Sequence, residues 1–117
     1  MCSSDLEMDL VIDTGERGAW TVLSVTGEID LYTSPQLRDS LATAVDRGAP
    51  KLAVDLREVR FMDSMGLGVL IGARRKLTEL DGSFALVCGD GPVRRVLDVS
   101  GLTQVFEVVG SPEDLPA

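Results

Sequence analysis

The chain has no histidine, so no imidazole base is available to activate a serine or cysteine nucleophile, and no lysine is placed to do that work instead. Cysteine is almost missing too. Cys2 and Cys88 are far apart and lack metal-ligand spacing, which argues against a disulfide framework or a zinc site and leaves Cys88 as a small apolar core residue. Aromatic residues make up only 4% of the chain, too few for a base-stacking surface, and a net charge of −8 repels phosphate backbones and anionic lipid alike. No run approaches the roughly 18 apolar residues of a membrane span, and MCSSDLEMDL lacks the basic region and long apolar stretch of a secretory signal. There is no G-x-x-x-x-G-K loop for a nucleoside triphosphate. These absences predict a cytoplasmic protein that is not an enzyme, holds no metal or cofactor, and has neither nucleic acid nor membrane as a direct partner. The acidic surface suits a protein partner carrying Arg and Lys, although solubility alone would also explain it.

What is present reads as one α/β domain. At 117 residues the chain is long enough for a single core, with an ordered part expected over about residues 8–110 and a polar tail, SPEDLPA, over 111–117 that the pattern does not force into structure. Met8, Leu10 and Ile12 alternate with polar positions, and Trp20 to Thr26 is rich in strand formers, so a hairpin is expected with Thr14 to Gly18 as its loop. Gly27 is expected to break the second strand and to leave Glu28 and Asp30 on a surface connection. Thr33 and Gln36 form a capping-box pair with Pro35 in the first turn, Leu37, Leu41 and Val45 mark the buried face of a helix, and Gly48 and Pro50 end it. Ser83 to Cys88 reads as a further strand, GDGP as the turn into a helix with Val93, Val96 and Leu97 inward, Gly101 as that helix's cap, and Val105 to Val109 as a last strand. The order β-β-α-β-α-β-α-β calls for a mostly parallel central sheet with packed helices.

The stretch Lys51 to Lys76 is the organising one. Leu52 to Leu56 is expected as a strand buried on both faces, Phe61 and Met62 as apolar anchors, and Ser64 as the start of a helix that Gly82 ends. At about 100° per residue, Leu67, Leu70, Ala73 and Leu77 fall on one side of that helix and Ser64, Gly68 and Gly72 on the other. Asp63 and Ser64 both offer cap oxygens, so two readings of Ser64 stand: it caps the helix, or its hydroxyl is presented to another protein. Gly66, Gly68 and Gly72 favour the second, because each costs about 0.5–1 kcal/mol relative to Ala inside a helix and a bare surface is what they supply. As a dinucleotide fingerprint the run fails, since Ile71 stands where the third glycine belongs.

FMDSMGLGVL, together with GEID at Gly27 to Asp30 and DVSGL at Asp98 to Leu102, resembles the anti-anti-sigma factors of bacteria, which are single STAS domains. The likeness runs over nearly the whole chain. It implies that Ser64, directly after Asp63, is the residue phosphorylated by an anti-sigma factor that is also a serine kinase, and that a serine phosphatase resets it. The family pattern often has a second Ser at the next position, where this chain has Met65. The resemblance further implies that the unphosphorylated form binds the anti-sigma kinase and frees its sigma factor, with Asp63, Ser64, Met65, Gly68, Gly72, Glu28 and Asp30 at the interface. The alternative within the same family is a sensor or scaffold STAS domain that binds a small ligand such as a nucleotide or joins a larger regulatory assembly.

Overall fold

Five strands lie side by side in the order in which the chain makes them, β1-β2-β3-β4-β5, in a computed structural model that describes residues 10–116. β1 (Val11–Arg17) pairs antiparallel with β2 (Trp20–Ile29). β2, β3 (Lys51–Met62), β4 (Ser83–Val87) and β5 (Glu107–Val109) then run parallel. Three helices make the crossovers: α1 (Ser34–Asp46), α2 (Ser64–Glu79) and α3 (Pro92–Val99). Because each crossover steps in the same direction across the sheet, connections of one hand place all three helices on one face. The core agrees: Leu52, Val54, Leu56 and Leu86 pack with Leu37 and Leu41 of α1, Leu70 and Leu77 of α2, and Val93 and Leu97 of α3.

The opposite face is covered more thinly. Trp20, Val22, Ala53 and Ala85 form a second small cluster there, with Leu115 of the C-terminal segment packed on it. The Trp20 indole donates to the Pro116 carbonyl at 2.6 Å, and Arg17 meets Glu113 at 3.6 Å. The tail expected to be irregular therefore carries a 3-10 turn, Pro112–Asp114, and lies against the sheet. β3 is buried on both faces as expected, but by helices on one side and by this segment on the other.

Several local expectations are corrected. The hairpin turn is the two residues Gly18 and Ala19, not Thr14 to Gly18, with Gly18 at φ +60°. Met8 lies outside the described residues. β3 runs twelve residues, to Met62, because two register shifts against β2 let charged Arg57, Glu58 and Arg60 stay in the strand. The first shift is held by Asp55, buried on the thinly covered face, whose carboxylate accepts from the Arg57 backbone N–H at 3.0 Å and pairs with the Arg57 guanidinium at 2.8 Å. Gly27 does not end β2; it takes φ +126° at the second shift and the strand continues to Ile29. Gly82 is not the left-handed residue after α2; that is Asp81, at φ +61°. Gly82 is required for space, since a Cβ there would sit 2.8 Å from the Pro50 carbonyl oxygen. The last strand, expected from Val105 to Val109, is only Glu107–Val109, and a 3-10 turn, Leu102–Gln104, precedes it. Cys88 is buried as expected, which pushes its thiol pKa up.

Candidate functional site

In a parallel sheet the strands deliver their C-terminal ends to one edge, and the helices that follow begin there. β2 and β3 end beside each other, with Ile29 paired to Met62 and the Asp63 N–H donating to the Ile29 carbonyl at 3.1 Å. The loop after β2 and the first turn of α2 are thereby tied together, and Glu28, Asp30, Asp63, Ser64 and Met65 share one end of the molecule.

Asp63 has extended backbone geometry and is the N-cap of α2; its Oδ1 accepts from the backbone N–H groups of Met65 at 2.9 Å and Gly66 at 3.3 Å. Ser64 is thus the first helical residue, exposed, and its hydroxyl takes no part in the cap. Of the two sequence readings, the capping role falls to the neighbouring aspartate. Asp30 likewise has a local duty. Its Oδ1 accepts from the N–H groups of Tyr32 at 2.9 Å and Thr33 at 3.0 Å, which shapes the turn into α1, while Glu28 is exposed. The capping box expected at Thr33 and Gln36 does not form. The Thr33 hydroxyl instead donates to the Glu28 carbonyl at 2.7 Å, and the Gln36 amide bridges the N–H and C=O of Leu10 at 3.2 and 2.7 Å.

The glycines divide into two kinds. A Cβ on Gly66 would lie 2.5 Å from Ile29 Cγ2 and 2.7 Å from Met62 Cγ, both on buried side chains, so Gly66 exists for close packing of α2 on the sheet's end. A Cβ on Gly68 or Gly72 would meet nothing within 4 Å. These two, with Ser64 and Met65, line a groove of about 590 Å³ between α1 and α2. All three glycines lie within the helix that opens at Ser64, which removes any resemblance to a phosphate-binding turn ahead of a helix.

Sequence reasoning placed Met65 at the interface but missed the other exposed apolar residues at this end. Phe61, expected as a buried anchor, is 49% exposed, Met65 47%, Leu31 57% and Tyr32 75%. Strand alternation accounts for Phe61: it directly precedes inward-facing Met62, and neighbouring side chains in a strand point to opposite faces. Glu28, Asp30 and Asp63 belong to the same end of the sheet as these side chains, so exposed apolar groups and acids are both present there. Such a surface fits a partner that offers both apolar groups and Arg or Lys.

Comparison with known proteins gives four further findings. A family model described as STAS domain matches residues 11–115. The anti-sigma-B factor antagonist of Bacillus subtilis (strain 168) is 30% identical over 106 residues, covering 91% of this chain and 96% of that protein. Among solved structures, an anti-sigma factor antagonist from Mycobacterium paratuberculosis superposes with a TM-score of 0.83 at 30% identity, covering 90% of this chain and 89% of the other. The Bacillus cell fate determinant SpoIIAA in its phosphorylated form superposes with a TM-score of 0.67 at 26% identity over 88% of this chain and 95% of that one.

Proposed function

The chain belongs to the STAS-domain family, and from that premise we propose that it is an anti-sigma factor antagonist switched by phosphorylation of Ser64. In the unphosphorylated state it binds an anti-sigma factor that is a serine kinase and thereby frees a sigma factor; a serine phosphatase restores that state. The observation that carries the reading is the division of labour at the start of α2: Asp63 satisfies the helix N-terminus, so an exposed serine hydroxyl stands beside it with no capping duty. Relatives named as antagonists of anti-sigma factors, and one solved in a phosphorylated form, support it. The binding surface on this reading is Asp63, Ser64, Met65, Gly68 and Gly72 with Glu28 and Asp30, and the exposed apolar residues Leu31, Tyr32 and Phe61 extend it.

Phosphate acts locally. A phosphoserine adds about 1.5–2 negative charges. The N–H groups of Met65 and Gly66 are already taken by Asp63, so the new charge gains little from them and instead meets a neighbouring carboxylate. In the free domain those opposing terms are screened by water. Against a partner surface fitted to a bare hydroxyl the phosphate is desolvated, and a penalty of about 3 kcal/mol weakens binding more than a hundredfold.

The test is incubation with a panel of anti-sigma kinases and ATP, read by intact mass. One added phosphate on the wild type and none on Ser64→Ala is the expected result. A kinase that modifies Ser64→Ala to the wild-type extent rejects the site, and indifference to every kinase rejects the antagonist reading.

A further inference from the structure

The groove between α1 and α2 is a small-molecule site in its dimensions, and we infer that it takes an amphiphilic anion, an apolar chain with a single carboxylate-type head. Its volume of about 590 Å³ falls within the range of ligand pockets. Leu41 and Val45 of α1 face Val69 and Ala73 of α2 across it, so the walls are apolar, and no aromatic side chain lines it to stack a nucleobase. A stable helix pair would close such a space. Alanine or leucine at Gly68 and Gly72 would improve helix propensity and meet no obstruction, yet the space is left open.

The charge at the groove decides the head group. In a chain of net charge −8, the charged residues lining it are Arg38, Lys76 and Asp46, an excess of one cation. α1 and α2 both run back from the C-terminal ends of parallel strands, so their N-termini lie at the same end of the groove. Arg38, in the second turn of α1, therefore stands at the end of Ser64 and Met65, while Asp46 and Lys76, each in the last turn of its helix, share the other end and offset each other. An anionic head is thus favoured beside Arg38, with the chain lying along Gly68 and Gly72. From Met65 to Lys76 the groove follows roughly 16 Å of helix, a length that accommodates a medium-chain acyl group. Binding itself is independent of the antagonist reading. Resting on that reading, its consequence is regulatory: a bound carboxylate places negative charge and bulk where the phosphate of Ser64 would stand, and so excludes the partner without any kinase.

The test uses decanoate and decyltrimethylammonium as probes, followed by methyl and amide NMR of the full chain. Decanoate should bind saturably with a Kd on the order of 10–100 µM, shifting Leu41, Val45 and Val69. The cationic amphiphile should bind at least about tenfold more weakly, Arg38→Gln should weaken decanoate about threefold, and Gly72→Leu, whose own spectrum reports its folding, should abolish it. The inference is overturned by equal binding of the two amphiphiles, by no saturable decanoate binding below about 1 mM, or by undiminished binding to folded Gly72→Leu. Because no kinase or partner is involved, these outcomes are separate from those that would reject Ser64 as the phosphorylated residue.

Discussion

The first two of the three helix starts at the C-terminal end of the sheet are near copies in sequence and opposites in structure. α1 begins Thr33-Ser34 and α2 begins Asp63-Ser64, each a capping residue followed by serine, the first after a short loop from β2 and the second directly after β3. At α1 the cap residue's side chain turns away from the helix to hold the loop behind it, and Ser34 is only 3% exposed. At α2 the cap residue serves the helix and Ser64 is exposed. A serine becomes available to another protein through what its neighbours do, and the residue types alone do not distinguish the two sites.

The largest expected effect separates the serines outright. With a cognate kinase, Ser34→Ala should accept one phosphate and Ser64→Ala none, as read by intact mass. Incorporation into Ser64→Ala with loss in Ser34→Ala would invert the comparison.

The second test concerns the cap residues. Thr33→Ala removes a buried hydroxyl that donates to the Glu28 carbonyl and accepts from the Asp30 N–H, so urea unfolding should show a loss of about 1–3 kcal/mol. Asp63→Ala loses only a partly exposed cap, about 1 kcal/mol. An Asp63 variant less stable than the Thr33 variant would mean that the second start, and not the first, anchors this end of the fold.

The third sharpens the contrast within α2. Gly66→Ala forces a Cβ against Ile29 and Met62 and should destabilise by about 1–2 kcal/mol, the packing strain exceeding the gain in helix propensity. Gly68→Ala faces open space and should stabilise by about 0.5–1 kcal/mol. Denaturant midpoints that move in the same direction would show that one explanation covers both glycines.

The smallest effect is Ser64→Asp, whose single charge beside Asp63 should change folding stability by less than about 0.5 kcal/mol. Amide shifts should stay near residue 64. Shifts spread through β4 and α3 would replace the local mechanism with a change of conformation.

The strand and helix order was legible because Leu37, Leu41 and Val45, and then Leu70 and Leu77, keep helical spacing, while Leu52 to Leu56 and Phe84 to Val87 are short apolar runs between turn residues. What was not legible depends on contacts distant in sequence. Gln36 makes a convincing capping partner for Thr33 until Leu10, 26 residues away, claims its amide. The charges of Arg57, Glu58 and Arg60 read as a loop because the shifts in register that keep them in β3 are set by pairing with β2. Phe61 and Met62 were read as anchors together, but once the strand runs through both only Met62 can face the core. The three glycines look alike in sequence, and only the atoms around Gly66 show that its role differs from that of Gly68 and Gly72. Likewise, either Asp63 or Ser64 has the chemistry to cap α2, and the extended backbone at Asp63 settles which one does.

The chain's one tryptophan sits at the start of β2, under Leu115 and bonded to the Pro116 carbonyl, at the opposite end of the strand from Ile29 and the Ser64 surface. Ten residues of strand put roughly 30 Å between the two. The Trp20 emission, excited apart from Tyr32, is therefore a gauge of the C-terminal segment and nearly blind to events at Ser64: it should move when residues beyond Ser111 are cut away, and stay still when a partner docks. A tag joined to the chain at Pro116 would be attached beside the indole, and its effect on the sheet's thinly covered face could be followed optically while the other end of the molecule remains free for its own assays.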